Sequence, residues 1–330
     1  MSRRDSQATF GLLAVGLAVS LAHAGAARAA DNRWVQLGPA GGMVYVVSVA
    51  PANPDYVFAG TYYGGPFESY TGGDTWSPSN SGLGDTRVFA YSDSGAGTFV
   101  GTPSGIYRRF GSPTWSQSSS GLTTKFVYAL VADWTANNRL FAGTNGGGVF
   151  RSTVKGASWQ RINNELGNLT VRTLVMDGNV GTLFAGTLGG GVFKAGSLGE
   201  SDPAWEPLNT GLDDKTVNAL IQVSSSLLVA GTNSGVFRSR DRGLHWEHAS
   251  SGLAGARVTW LDFDPTQTST LFAATASGLF KSLNGGDSWT PAGSGLPAVA
   301  ATCVAVARSN PSVVYAGTYR GVYKSTDAGA

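Results

Sequence analysis

The sequence predicts an all-β fold, a single closed ring of seven four-stranded antiparallel blades: a seven-bladed β-propeller. Three observations carry this reading: a glycine-rich composition poor in charge, one strand motif repeated seven times, and a tryptophan left over ahead of the first repeat. Of 330 residues, 47 are glycine and only 13% are charged, against 42% hydrophobic and 11% aromatic. Disordered chains and coiled coils both carry many more charges, so short apolar strands joined by glycine turns are favoured instead.

The motif is a strand ending in glycine–threonine: VFAGT, TFVGT, LFAGT, LFAGT, LVAGT, LFAAT and VYAGT. Its glycines are Gly60, Gly101, Gly143, Gly186, Gly231 and Gly317, with Ala274 in the sixth copy. Successive copies lie 41, 42, 43, 45, 43 and 43 residues apart. A repeat of about 43 residues is the length of one propeller blade. In each unit an alternating run (VYALVADW, VNALIQVS) precedes the motif and a short apolar strand (GVFRS, GLFKS) follows it. Runs of period two bounded by glycine, asparagine and serine read as strands.

The tryptophans predict how the ring closes. Trp76, Trp115, Trp159, Trp205, Trp246 and Trp289 follow their own motif by 14 to 19 residues, opening the fourth strand of each unit. The seventh unit ends before its tryptophan, and Trp34 stands unclaimed 26 residues before Gly60, where the other six precede the next motif by 25 to 28. Trp34 is therefore expected to supply the outer strand of the seventh blade, removing two open sheet edges. Residues 31–330 then form one domain.

Residues 1–30 read as a secretory signal peptide: Arg3 and Arg4, an apolar run from Phe10 to Ala22, then the small-residue sites Ala22–Ala24 and Ala27–Ala29. Without them the chain has 20 basic and 20 acidic side chains, since Arg3, Arg4, Arg28 and Asp5 leave. Zero net charge disfavours nucleic acid as a partner, because phosphate neutralisation needs a cationic face. No second apolar run reaches the length of a membrane span. The expectation is an exported monomer, periplasmic or extracellular. Cys303, the single cysteine, makes no internal disulfide and sits in an apolar run, where a buried hydrophobe is the simpler reading.

The turn before the tryptophan is the most specific local feature. Ser239, Asp241, Gly243 and Trp246 match S-x-D-x-G-x-x-W in full; Ser282, Asn284, Gly286 and Trp289 match with asparagine at the acid position. The chain thus resembles the Asp-box, or BNR-repeat, propellers, a family that includes sialidases, xyloglucanases, sortilin-like receptors and photosystem II assembly-factor-like proteins. The residues read as structural: short oxygen side chains bond nearby amides and glycine takes a positive φ.

The resemblance also implies catalytic parts to look for. Sialidases carry an Arg-Ile-Pro motif, but here Arg161-Ile162 is followed by asparagine and Arg109-Phe110 by glycine. Xyloglucanases work across a cleft between two propellers, and this chain has one. Asp262 and Asp264 alternate on one strand as an acid-pair candidate. No spacing suits a metal, since His23 leaves with the leader and His245 and His248 flank a tryptophan. No catalytic residue and no cofactor are assigned.

Two patterns point to binding. A cation follows each of five successive tryptophans by 10 to 13 residues, in the loop entering the inner strand: Arg87, Lys125, Arg172, Lys215 and Arg257. Tyr62-Tyr63 and Tyr319-Arg320 occupy equivalent turns of blades 1 and 7, neighbours in a closed ring. Both sets are expected on one face, where arginine forks and flat rings suit an acidic glycan or an acidic protein loop. The expected function is an exported, non-catalytic binding or assembly module, with the resemblance closest to single-ring photosystem II assembly-factor-like propellers. The alternative is a carbohydrate-active hydrolase or lyase.

Overall fold

The computed structural model describes residues 34–330 apart from 40, 41, 137, 200, 201, 294 and 298; the predicted signal peptide lies outside the described residues. Seven four-stranded antiparallel sheets make up the ring, with no helix among the described residues. The innermost strands are Val44–Ala50, Ala90–Ser94, Val127–Ala132, Val171–Asp177, Val217–Gln222, Val258–Phe263 and Ala301–Val306. Each is followed outward by the glycine–threonine strand and a third strand, and in blades 1 to 6 by a two- or three-residue outer strand. In blade 7 the outer strand is Val35–Gly38 from the front of the chain, paired with Gly321–Ser325. Trp34 is buried beside it, against Phe272 and Tyr323, as the leftover tryptophan predicts.

Packing between blades explains both letters of the motif. A Cβ on Gly60, Gly143, Gly186 or Gly231 would fall 2.5–2.7 Å from a methyl of Val88, Val171, Val217 or Val258, the valine that opens the next inner strand or, for Val88, stands two residues ahead of it. Glycine is needed because a neighbouring blade sits where a side chain would be. The sixth blade has Ala274, and there the facing position is Ala301 instead of valine; both lie in one core cluster. The threonine hydroxyl donates to the carbonyl of the glycine that opens the third strand in six blades, as in Thr144 to Gly148 (2.9 Å) and Thr232 to Gly235 (3.0 Å), and of Gly65 just ahead of it in blade 1.

The tryptophans tie each blade to the one before. Trp115, Trp159, Trp205, Trp246 and Trp289 donate their indole N–H to a carbonyl of the previous blade's outer strand region at 2.6–2.8 Å. Trp34 and Trp76, the two on either side of the closure, are buried at Nε1 without such a partner. In the turn before Trp246, Ser239 Oγ donates to Asp241 (2.8 Å) and accepts the Gly243 amide (2.7 Å), and Asp241 accepts the His245 amide (2.9 Å). Ser282, Asn284 and Gly286 repeat the pattern. Asp133, Asp177 and Asp264 cap the turn between first and second strands by accepting amides two residues on.

Candidate functional site

The site is the mouth of the central channel, built from one position of each blade. Inner strands open on valine or alanine, and in six blades the register with the second strand shifts just after it, as between Val127 and Ala129. Such a bulge turns the extra residue out of the ladder. The residues so placed are Tyr45 in blade 1, Tyr128, Arg172, Asn218, Thr259 and Thr302 in the later blades, with Phe89 at the matching place in blade 2. All seven line one cavity of about 370 Å³.

Chemistry divides this ring into two arcs. Blades 1 to 3 give an aromatic wall: Tyr45 to Phe89 at 4.6 Å between centroids, Phe89 to Phe126 at 5.1 Å, and Phe126 to Tyr128 at 4.6 Å. Tyr62 extends it (5.6 Å from Tyr45), with Tyr63 edge-on behind (4.6 Å). Burial raises the Tyr45 pKa, and the adjacent hydroxyls of Tyr62 and Tyr319 add to the rise. Blades 4 to 7 give the polar arc. Arg172 lies over the Tyr128 ring (5.5 Å) and donates from Nη1 to Asn218 (3.1 Å), while its Nε is buried with no hydrogen-bond partner. Burial pulls the Arg172 pKa below the ordinary arginine value; Tyr128 opposes this and the charge on Arg257 adds to it. Arginine still keeps its proton, so the mouth holds two cations in mutual repulsion. No carboxylate lines this cavity among the described residues.

Trp260 forms the floor. Its position is third in six of the inner strands and first in that of blade 2, where the other blades hold Val46, Ala90, Ala129, Thr173, Ala219 and Cys303. The large indole reaches three separate core clusters, including those of blades 1 and 2, and lines both the mouth and the channel cavity of about 330 Å³ beneath it. At the far end of the channel Asp262 accepts the Val306 amide (2.8 Å) and pairs with Arg308 (2.5 Å). Burial raises the Asp262 pKa, countered by the Arg308 charge. Asp262 therefore staples blade 6 to blade 7 and Asp264 caps a turn, so the two do not face one shared space.

The sequence pattern treated the five cations as one equivalent series, and the structure corrects this. Arg172 sits on the inner strand at the bulge, one residue after the opening valine, whereas Arg87 and Arg257 stand one residue before it and Lys125 and Lys215 two; the loop from tryptophan to valine is 12 residues in all five blades. Arg257 and Tyr319 join it in lining the cavity. Arg87 is held in a two-point ion pair with Asp85 (3.0 and 2.8 Å), which raises its pKa further. Lys125 and Lys215 are exposed and lie outside the cavity lining. Tyr63 is 74% exposed, and Arg320 presents its carbonyl to Gln36 (2.7 Å) in the closing strand. Sequence reasoning passed over Tyr45, Phe89, Phe126, Tyr128 and Trp260. For all of these but Phe126, which precedes its strand, the signal was the second and third letters of the stacked units, VYV, VFA, VYA, VRT, VNA, VTW and ATC.

No protein-family model and no curated protein matches the sequence, whereas many solved structures share its fold. The GH74 xyloglucanase from Xanthomonas campestris is 17% identical with a TM-score of 0.70, covering 90% of this chain and 54% of its own. The extracellular domain of a putative hybrid two-component system from B. thetaiotaomicron gives 16% and 0.72, over 89% of this chain and 40% of its own. A YCF48 structure with a D1 peptide bound gives 19% and 0.67, over 90% of this chain and 96% of its own. This chain thus spans about half or less of the first two and nearly all of the third. What it shares with them is the propeller fold.

Proposed function

We propose that this protein is an exported, non-catalytic binding module of the Asp-box propeller kind, which seats an acidic protein segment on its channel mouth. The observation that carries the reading is the pairing of an aromatic wall with Arg172 and Arg257 around one cavity that no carboxylate lines among the described residues. Aromatic faces take up apolar parts of a peptide, and guanidinium forks take up its carboxylates. The YCF48 structure, similar over nearly its whole length, holds a peptide. Attraction by two close cations weakens with salt even though the chain without residues 1–30 is neutral.

The test is fluorescence anisotropy with labelled acidic peptides, with and without aromatic residues, at rising salt. Arg172→Gln with Arg257→Gln should weaken binding at least about tenfold, the loss of a charge-assisted bond or more, while Lys125→Gln with Lys215→Gln should have little effect. Equal loss in both pairs, or none in the arginine pair, refutes the site. The likeness to GH74 enzymes favours a second reading, glycan hydrolysis on the same face; release of product from xyloglucan would establish it. Export is tested by the mature N-terminus, expected after Ala24 or within Ala29 to Ala30.

A further inference from the structure

We propose that the face opposite the mouth carries an oligosaccharide groove across blades 2 and 3, with Trp134 and Phe110 as its two sugar platforms. The two residues share a face by topology. Trp134 lies in the turn between the first and second strands of blade 3, and Phe110 in the turn between the third and fourth strands of blade 2. In an antiparallel blade these turns fall at the same end, away from the loops that enter the inner strands. Two cavities run along that end, about 330 Å³ at Trp134 and about 500 Å³ at Phe110. They meet at chain neighbours: Gly95 lines the first and Ala96 the second.

Both aromatics are displayed and both are held. Trp134 is 74% exposed and Phe110 70%, yet each leans on a glycine. A Cβ on Gly178 would fall 1.4 Å from the Trp134 indole nitrogen, and one on Gly97 would fall 3.3 Å from the Phe110 ring. Exposed rings seated on bare backbone offer apolar surface with little rotamer freedom left to lose on binding. The walls between them are rich in hydroxyls: Ser92 and Ser94 in one cavity, Ser112, Thr114 and Ser116 in the other. Charge is sparse, because Arg139 is spent on the fully buried Asp133 carboxylate (2.5 Å). Arg108 and Lys155 line the cavity at Phe110, where Arg108 Nη1 donates to the Lys155 carbonyl (2.9 Å), and Asp93 lines the one at Trp134.

A sugar chain matches this surface. Each pyranose has an apolar C–H face for an aromatic ring and a rim of hydroxyls that exchange hydrogen bonds with serine, threonine and aspartate. Two platforms along one groove fit a linear chain longer than one residue, and the Arg108–Lys155 end accepts a uronate. An acidic peptide belongs instead at the mouth, where the cations converge.

The probes are hexasaccharides of β-1,4-linked glucose and of α-1,4-linked galacturonate, titrated into the full chain by calorimetry. Saturable binding of at least one is expected. Trp134→Ala and Phe110→Ala should each weaken it about tenfold or more, as loss of a stacking contact does, with the melting temperature unchanged because both side chains are exposed. Arg172→Gln should leave it intact. An acidic peptide titrated into the same variants should follow Arg172 and ignore Trp134, so the two sites fail independently. Binding of neither hexasaccharide overturns the proposal. So does binding that survives the Trp134→Ala, Phe110→Ala double variant, or that disappears with Arg172→Gln alone.

Discussion

The contact between Gly231 and Val258 offers a direct test of why the glycine–threonine motif exists. A methyl added at Gly231 would lie 2.5 Å from Val258 Cγ1, 3.0 Å from its Cβ and 3.4 Å from Ala219 Cβ. Carbon atoms are comfortable at about 3.5–4.0 Å, and a β-branched side chain on a strand has little χ1 freedom with which to yield. Overpacking of this kind costs about 1–3 kcal/mol. Against it stands about 0.4–1 kcal/mol from the smaller entropy of the unfolded chain, so Gly231→Ala should destabilise by about 1–2 kcal/mol. Val258→Ala removes two carbons from a fully buried site and should cost about 2–3 kcal/mol in transfer and cavity terms. The double variant should not cost the sum, because the new methyl fills the space that the valine vacates. The chain already contains the compensated pair, Ala274 with Ala301, at the junction of blades 6 and 7. A favourable coupling of about 2 kcal/mol is expected, within the range for residues in contact. Urea denaturation of the four proteins measures it. Additivity to within about 0.5 kcal/mol would refute the steric account. The converse should hold at the other junction: Ala301→Val destabilises, and Ala274→Gly restores.

Three further outcomes follow from the same contacts. Trp246→Phe leaves the Leu208 carbonyl without its 2.8 Å partner, a loss of about 1–3 kcal/mol, whereas Trp34→Phe has no such bond to lose; equal losses in chemical denaturation would contradict this. Removing residues 34–38 strips the outer strand from Gly321–Ser325, so the truncated ring should melt far lower or aggregate, and a parent-like melt would refute strand closure. Asp241 accepts the His245 amide, the His245 ring nitrogen and the Ser239 hydroxyl, which hold its pKa at about 2, below the ordinary 3.8. A depressed carboxylate stabilises the fold above the unfolded-state pKa and loses that contribution as pH falls through the folded value. The stabilities of parent and Asp241→Asn should therefore converge between about pH 4 and pH 2, the parent losing more; parallel curves would count against the box as an ionised cap.

The sequence by itself determined the blade count, the strand order within a blade and the strand that closes the ring. These depend on features that repeat along the chain: a motif every 43 residues or so, a tryptophan at a fixed distance from it, and one tryptophan to spare. Local turn chemistry was legible for the same reason, since Ser239, Asp241 and Gly243 act on amides a few residues away. Only the tertiary structure decided the site. The mouth is assembled from single residues one blade apart, Tyr45, Phe89, Tyr128, Arg172 and their partners, and no window of sequence holds two of them from different blades. Position relative to the inner-strand valine, together with local pairing, decided which cations reach it: Arg172 one residue after the valine and Arg257 one before it do, Lys125 and Lys215 two before it stay in solvent, and Arg87 is taken by Asp85. The meaning of the motif's glycine was hidden as well. Its reason is a valine on another blade, about 26–31 residues further along the chain in five of the junctions, brought against it by closure of the ring.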